Sequence, residues 1–164
     1  MLLAGSCHCH AVRFRLVSAQ PYPYQRCYCG VCRKTQGGGG YAVNLGGVAA
    51  SLEVEGRENI SIYHARIDDD GHEYTSTAER HFCSKCGSAL WLFSPEWPDL
   101  IHPFASAIDT PLPTPPTLTH LMLRFKAPWV SIETYGPEDK RHDEYPKESL
   151  AAWHDRLGLT DDSQ

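Results

Sequence analysis

Seven cysteines fall in three tight clusters, and their spacing constrains this 164-residue chain more than any other feature. The clusters are Cys7-His8-Cys9, Cys27-Tyr28-Cys29-Gly30-Val31-Cys32 and Cys83-Ser84-Lys85-Cys86. Cysteines two or three residues apart let two sulfurs reach one ion, which is how zinc is held. A disulfide framework would call for a denser cysteine content and, as a rule, an even count. The first cysteine arrives after only Met1-Leu2-Leu3-Ala4-Gly5-Ser6, too short for a secretory leader. No uninterrupted apolar run approaches the roughly 18 residues a membrane helix needs. We therefore expect a soluble, cytoplasmic, reduced protein with no membrane partner.

The net charge of −5 opposes binding to a phosphate backbone, and no run of lysine and arginine offsets it. Nucleic acid is therefore an unexpected partner, although zinc clusters often invite that guess.

Alternation of apolar and polar residues dominates the chain and predicts an all-β fold. Val12, Phe14 and Leu16 share one face, with Arg13 and Arg15 on the other, and Tyr41, Val43 and Leu45 repeat the pattern. Further strands are expected at Ser51 to Val54, Ile60 to Tyr63, Glu79 to Phe82, Ala89 to Phe93, Phe104 to Ile108, Leu121 to Phe125 and Val130 to Ile132. Pro111, Pro113, Pro115 and Pro116 cannot donate to a ladder and mark a long connection. Asp68-Asp69-Asp70-Gly71 reads as a solvated turn.

One helix is expected, from about Lys147 to Leu157, where Leu150, Trp153, His154 and Leu157 recur at helical spacing. Pro146 suits its first position and Gly158 the residue past its end. We read residues 1–140 as one zinc-binding domain and 141–164 as a helix and tail packed on it, with Thr160 to Gln164 frayed.

If Cys7 and Cys9 lie in a strand, they present both sulfurs to one side while His8 points away. Cys83-x-x-Cys86 wraps a turn around an ion, and Gly87 lets the backbone pass close to the sulfurs. Two such pairs make a closed four-sulfur site suited to structure. Cys27, Cys29 and Cys32 then form a three-sulfur group. Spacing leaves three readings open: a fourth protein ligand closes it, the fourth position stays open to water or a substrate thiol, or the three are reactive thiols without metal, which the two regular spacings argue against. Arg33 and Lys34, next in sequence, could attract an anionic substrate. Gly37-Gly38-Gly39-Gly40 reads as a turn, or as backbone N–H groups for an anion. His81 could hydrogen-bond a sulfur or sit on an exposed strand face, and Trp91 and Phe93 are expected in the core, with Trp97 as a possible pocket lip.

Gly5-Ser6-Cys7-His8-Cys9, Cys27-Tyr28-Cys29-Gly30-Val31-Cys32-Arg33-Lys34 and Phe82-Cys83-Ser84-Lys85-Cys86-Gly87-Ser88-Ala89-Leu90 together resemble the three-part signature of the glutathione-dependent formaldehyde-activating enzyme family, which includes centromere protein V. Fainter similarity at Ile108 to Pro111 and at Pro128-Trp129 extends it over most of residues 5 to 135. The resemblance implies a β-tent of folded-over antiparallel sheets with zinc knuckles, akin to Rab-binding zinc proteins and methionine sulfoxide reductase B. It implies two Zn2+ sites: a structural one of Cys7, Cys9, Cys83 and Cys86, and an open three-cysteine one of Cys27, Cys29 and Cys32. It also implies a carbon-sulfur lyase activity that joins glutathione, or a related small thiol, to formaldehyde. Tyr28 departs from the family, which often has histidine there. The alternative is a zinc-stabilised β module that binds a protein or carries a thiol without catalysis. A sulfoxide reductase would need a cysteine free of metal, and this assignment uses all seven.

Overall fold

The computed structural model describes residues 1–36 and 38–159. Thr160 to Gln164, read above as a frayed tail, lie outside the described residues, as does Gly37. In chain order the first elements are β1 (Leu2–Ser6), β2 (Arg13–Val17), β3 (Tyr24–Cys27), helix α1 (Gly30–Gln36), β4 (Ala42–Asn44), β5 (Gly47–Val48) and β6 (Glu53–Glu55). There follow β7 (Ile60–Asp69), β8 (His72–Cys83), β9 (Ala89–Phe93), β10 (Leu100–Pro103), β11 (Leu118–Leu121), β12 (Lys140–Arg141) and helix α2 (Leu150–Arg156). The all-β expectation holds. No described helix is long and apolar enough to cross a membrane.

The chain forms two compact units. One comprises residues 2–18 and 47–111 and carries two antiparallel sheets, of order β1-β2-β6 and β5-β10-β9-β8-β7. In β2 the predicted alternation is observed: Phe14 and Leu16 are buried, and Arg13 and Arg15 face solvent. Arg15 Nε donates to Glu53 Oε2 at 2.8 Å across the β2–β6 pair. Gly5 stands opposite Phe14, where a Cβ would lie 2.4 Å from both the Phe14 ring and the Ala107 carbonyl oxygen. Only glycine permits that approach. Trp91 packs edge-on against Phe14, ring centroids 5.1 Å apart, and is buried as expected, whereas Phe93 is half-buried and Trp97 exposed.

The acidic run is the turn of the β7–β8 hairpin. Asp70 and Gly71 both take positive φ, 51° and 88°, the geometry a tight hairpin requires, and Gly71 N–H donates to Asp68 Oδ1 at 2.8 Å. The hairpin is much longer than the segments Ile60 to Tyr63 and Glu79 to Phe82 predicted. Its outer half is exposed on both faces and so lacks the apolar alternation that marks a strand in sequence. Phe104 to Ile108 is not a strand. The ladder is carried by β10, and Ala105–Ala107 form a 3-10 turn that buries Phe104 and Ala107 three residues apart.

The other unit comprises residues 19–46 and 112–159 and carries one sheet of order β12-β11-β3-β4. Here β11 runs parallel to both β3 and β12, a feature absent from the antiparallel expectation. The proline-rich segment has neither strand nor helix, as predicted, and β11 begins directly after it. The predicted strand Leu121 to Phe125 ends where it was to begin, because Met122 turns left-handed (φ 62°) and Leu123–Phe125 form a 3-10 turn. Val130 to Ile132 is not a strand either. Val130 closes a turn onto the Ala127 carbonyl and is buried with Tyr28. Of the predicted Tyr41, Val43 and Leu45 face, Leu45 is fully buried and Tyr41 and Val43 are half-buried, while within β4 the buried positions are Ala42 and Asn44.

Helix α2 lies inside the predicted span. Its cap is Ser149, whose hydroxyl accepts from Ala152 N–H at 3.1 Å, so Pro146 precedes the helix instead of starting it. Gly158 is left-handed, φ 62°, as its position required. Trp153 is buried against Tyr22, and His154 Nε2–H donates to the Tyr22 carbonyl at 2.6 Å.

Candidate metal centres

Each unit holds one cysteine group. In the first, Cys7 and Cys9 lie in a turn that leaves the end of β1, correcting the strand geometry expected of them. Cys7 N–H donates to Val12 O, His10 N–H returns to Cys7 O at 2.9 Å, and His10 takes φ 56° to close the turn. His8 is exposed and outside the group, in line with its exclusion as a ligand, and its N–H is held by Ser88 Oγ at 3.1 Å. Cys83 ends β8, and the chain turns through left-handed Gly87 (φ 75°), whose N–H donates to Cys83 O at 2.8 Å. This is the knuckle that the spacing predicted.

All four sulfurs lie within 4.8 Å of one another. Cys7 and Cys9 Sγ are 3.5 Å apart, and Cys9 and Cys83 Sγ 3.8 Å apart. Zinc-sulfur bonds of about 2.3 Å in a tetrahedron place sulfurs about 3.8 Å apart. A disulfide would need about 2.0 Å, and all seven cysteines are free thiols. Cys86 is held down at about 5, chiefly by the Ser88 hydroxyl and then the Ser88 backbone. For Cys9 the Ala11 backbone favours the thiolate, but Cys7, burial and the other sulfurs outweigh it and push the thiol up to about 11. Gathered sulfurs resist joint ionisation, and a dication reverses that penalty. The donor set and its dimensions fit a four-coordinate metal.

In the second unit Cys27 ends β3, Cys29 precedes α1 and Cys32 sits in the first turn of α1. This helix was not foreseen, since seven residues carry too few apolar repeats to signal one. It folds the triplet back on itself: Arg33 N–H donates to Cys29 O at 3.0 Å, and Cys32 N–H to Cys29 Sγ at 3.3 Å. Their sulfurs lie within 4.8 Å of one another, and among the described residues no fourth histidine, cysteine or carboxylate joins them. Cys27 and Cys32 are buried, whereas Cys29 is partly accessible. Hydrogen bonds to Cys29 and Cys32, then burial, drive the Cys27 thiol upward.

Tyr28, between the first two cysteines, turns into the core. It is fully buried with Ala127 and Val130, and its hydroxyl meets His120 Nδ1 at 2.8 Å. His120 was missed, because one histidine in a short apolar strand carries no signal of its own. Arg33 is half-buried and Lys34 exposed on α1. Gly38 and Gly40 are left-handed, and a Cβ on Gly40 would come within 2.3 Å of Val130, so this turn is a close approach. His81 stacks on Trp91, centroids 5.0 Å apart, and bonds Glu79 at 3.1 Å. It is neither exposed nor seen bonding a sulfur.

Residues 2–122 match the profile of the glutathione-dependent formaldehyde-activating enzyme family. A Halomonas elongata protein, whose name provisionally assigns it that same activity, is 61% identical over 159 residues, covering 97% of this chain and 98% of its own. The crystal structure of a Rhodobacter sphaeroides protein has a related fold, with TM-score 0.52 and 23% identity over 69% of this chain and 92% of that one. With a profile match over residues 2–122 and a 61% identical relative along nearly its whole length, the chain belongs to the glutathione-dependent formaldehyde-activating enzyme family.

Proposed function

We propose that this protein is a cytoplasmic carbon-sulfur lyase that joins glutathione to formaldehyde, giving S-hydroxymethylglutathione. The observation that carries the reading is the group of Cys27, Cys29 and Cys32, three converging sulfurs with no fourth protein ligand among the described residues. Zinc is the metal that suits such sulfurs, and when bound it supplies the positive charge that keeps a fourth, substrate sulfur as thiolate near neutral pH. Cys27 and Cys32 are buried and Cys29 is partly accessible, so the approach is on the Cys29 side. In the reaction the sulfur forms a bond to the aldehyde carbon, the carbonyl π bond breaks, and the thiol proton passes to the oxygen. Cys7, Cys9, Cys83 and Cys86 form the structural zinc site in this proposal.

Native mass spectrometry of reduced protein, with and without glutathione, tests it. Two zincs and a glutathione adduct weakened in Cys29→Ser are expected. One zinc and no adduct would leave a metal-stabilised module without this chemistry.

A further inference from the structure

The face of the β12-β11-β3-β4 sheet that bears Cys27 is unusually polar. Lys140, Thr119, Gln25 and Asn44 are aligned partners across the four strands, one residue from each, and so form a single row on one face. Cys27 and Leu121 lie in the next row of that face, two residues along their strands. A sheet face buried under a helix is ordinarily apolar. Here Thr119 is 3% exposed and Asn44 7%, and neither Thr119 Oγ1 nor Asn44 Oδ1 has a hydrogen-bond partner. From the α2 side Trp153, 4% exposed, likewise leaves Nε1 without one. Unpaired buried polar atoms are costly and few, so the two that line one cleft between the sheet and α2, Thr119 Oγ1 and Trp153 Nε1, call for an explanation.

A cleft lies at the same place. Gln25, Thr119, Lys140, His142 and Trp153 line it, its volume is about 250 Å³ counting the solvent at its mouth, and its enclosed part admits a water-sized polar group. Its chemistry favours an anion. The Lys140 ammonium, the Trp153 indole N–H and the Thr119 hydroxyl are donors, and Lys140 has only a long, exposed contact of 4.0 Å with Glu138. The one carboxylate in the lining, Glu148, is already neutralised by two bonds from Arg156, at 2.8 and 3.1 Å.

We infer that this cleft receives a carboxylate of the thiol substrate, with Thr119, Lys140 and Trp153 as its donors. The inference rests on the proposed thiol-binding role of Cys27, Cys29 and Cys32. Two residues of strand separate the polar row from Cys27 by roughly 7 Å, a span a tripeptide can bridge between its sulfur and a carboxylate. The unpaired Thr119 hydroxyl and Trp153 indole N–H are then polar groups kept for a ligand at the expense of stability.

S-Methylglutathione, which keeps both carboxylates and cannot form a thiolate, separates the cleft from the cysteines. By titration calorimetry it should bind the wild-type protein and the Cys29→Ser variant alike. Thr119→Val should weaken binding at least about tenfold, the loss of one hydrogen bond to a charged group, and Thr119→Ser should restore it. Lys140→Met should weaken binding and flatten its salt dependence. Thr119→Val should leave Tm unchanged or raised, because it removes a hydroxyl with no partner. No binding to the wild type, undiminished binding by Thr119→Val, or a lowered Tm in that variant would each overturn the inference. Loss of the glutathione adduct in Cys29→Ser, with Thr119→Val binding normally, would refute the cleft and spare the cysteine site. The converse pattern would refute the cysteine site and spare the cleft.

Discussion

Replacing Tyr28 with phenylalanine should destabilise the three-cysteine unit without creating a cavity. Tyr28 and His120 are both fully buried, and the tyrosine hydroxyl is the hydrogen-bond partner of His120 Nδ1 at 2.8 Å. His120 Nε2 already has none. Phenylalanine fills nearly the same volume, so no packing penalty of large-to-small type arises. What it removes is one buried hydrogen bond, leaving an imidazole with both nitrogens unsatisfied. That costs about 1–3 kcal/mol. For a protein of this size each kcal/mol shifts Tm by about 2–4 °C, so a fall of roughly 2–12 °C is expected. Differential scanning calorimetry at pH 7.5 on zinc-loaded protein measures it. Because Tyr28 separates Cys27 from Cys29, zinc should also be lost from this site faster to a chelator. A Tm at or above that of the wild type would refute the reasoning, since it would mean the Tyr28–His120 bond contributes nothing net.

The two cysteine groups should respond differently to substitution: Cys86→Ser opens a site that ties two sequence-distant turns together and should cost much of the domain's stability in urea unfolding, whereas Cys29→Ser should remove one zinc with the fold retained. Equal loss of folding in both would count against that division. Gly5→Ala forces a methyl to within 2.4 Å of the Ala107 carbonyl oxygen and should cost about 1–3 kcal/mol by denaturant titration; a neutral result would mean β1 can shift freely. Burial, and next the Arg26 charge, hold the His120 pKa below its ordinary value. The unfolded chain therefore binds a proton that the folded chain does not, so this contribution is present above about pH 6.5 and lost as pH falls through the folded value. Tm should fall more steeply between pH 6.5 and 5 in the wild type than in His120→Gln, and parallel curves would rule the contribution out.

Each cysteine cluster was legible in the chain because its members are close in sequence. Two or three residues between cysteines already limit where their sulfurs can go, and Gly87 after Cys86 is required by a left-handed turn that any such knuckle makes. The strand with one buried face, β2, was legible for a similar reason: alternation is local. The exposed half of the β7–β8 hairpin and the short α1 have no such pattern and were missed.

Tertiary structure decided what depends on residues far apart in the chain. It put Cys7 and Cys9 in a turn and turned Tyr28 away from the sulfurs toward His120, 92 residues later. It also aligned Gln25, Asn44, Thr119 and Lys140, four unremarkable polar residues in sequence, into one row on one sheet face. The sequence by itself determined the cysteine clusters and the all-β class, since spacing and alternation act over a few residues. Which side chains surround those clusters follows from strand order and register, and these are set by the summed burial of the whole unit.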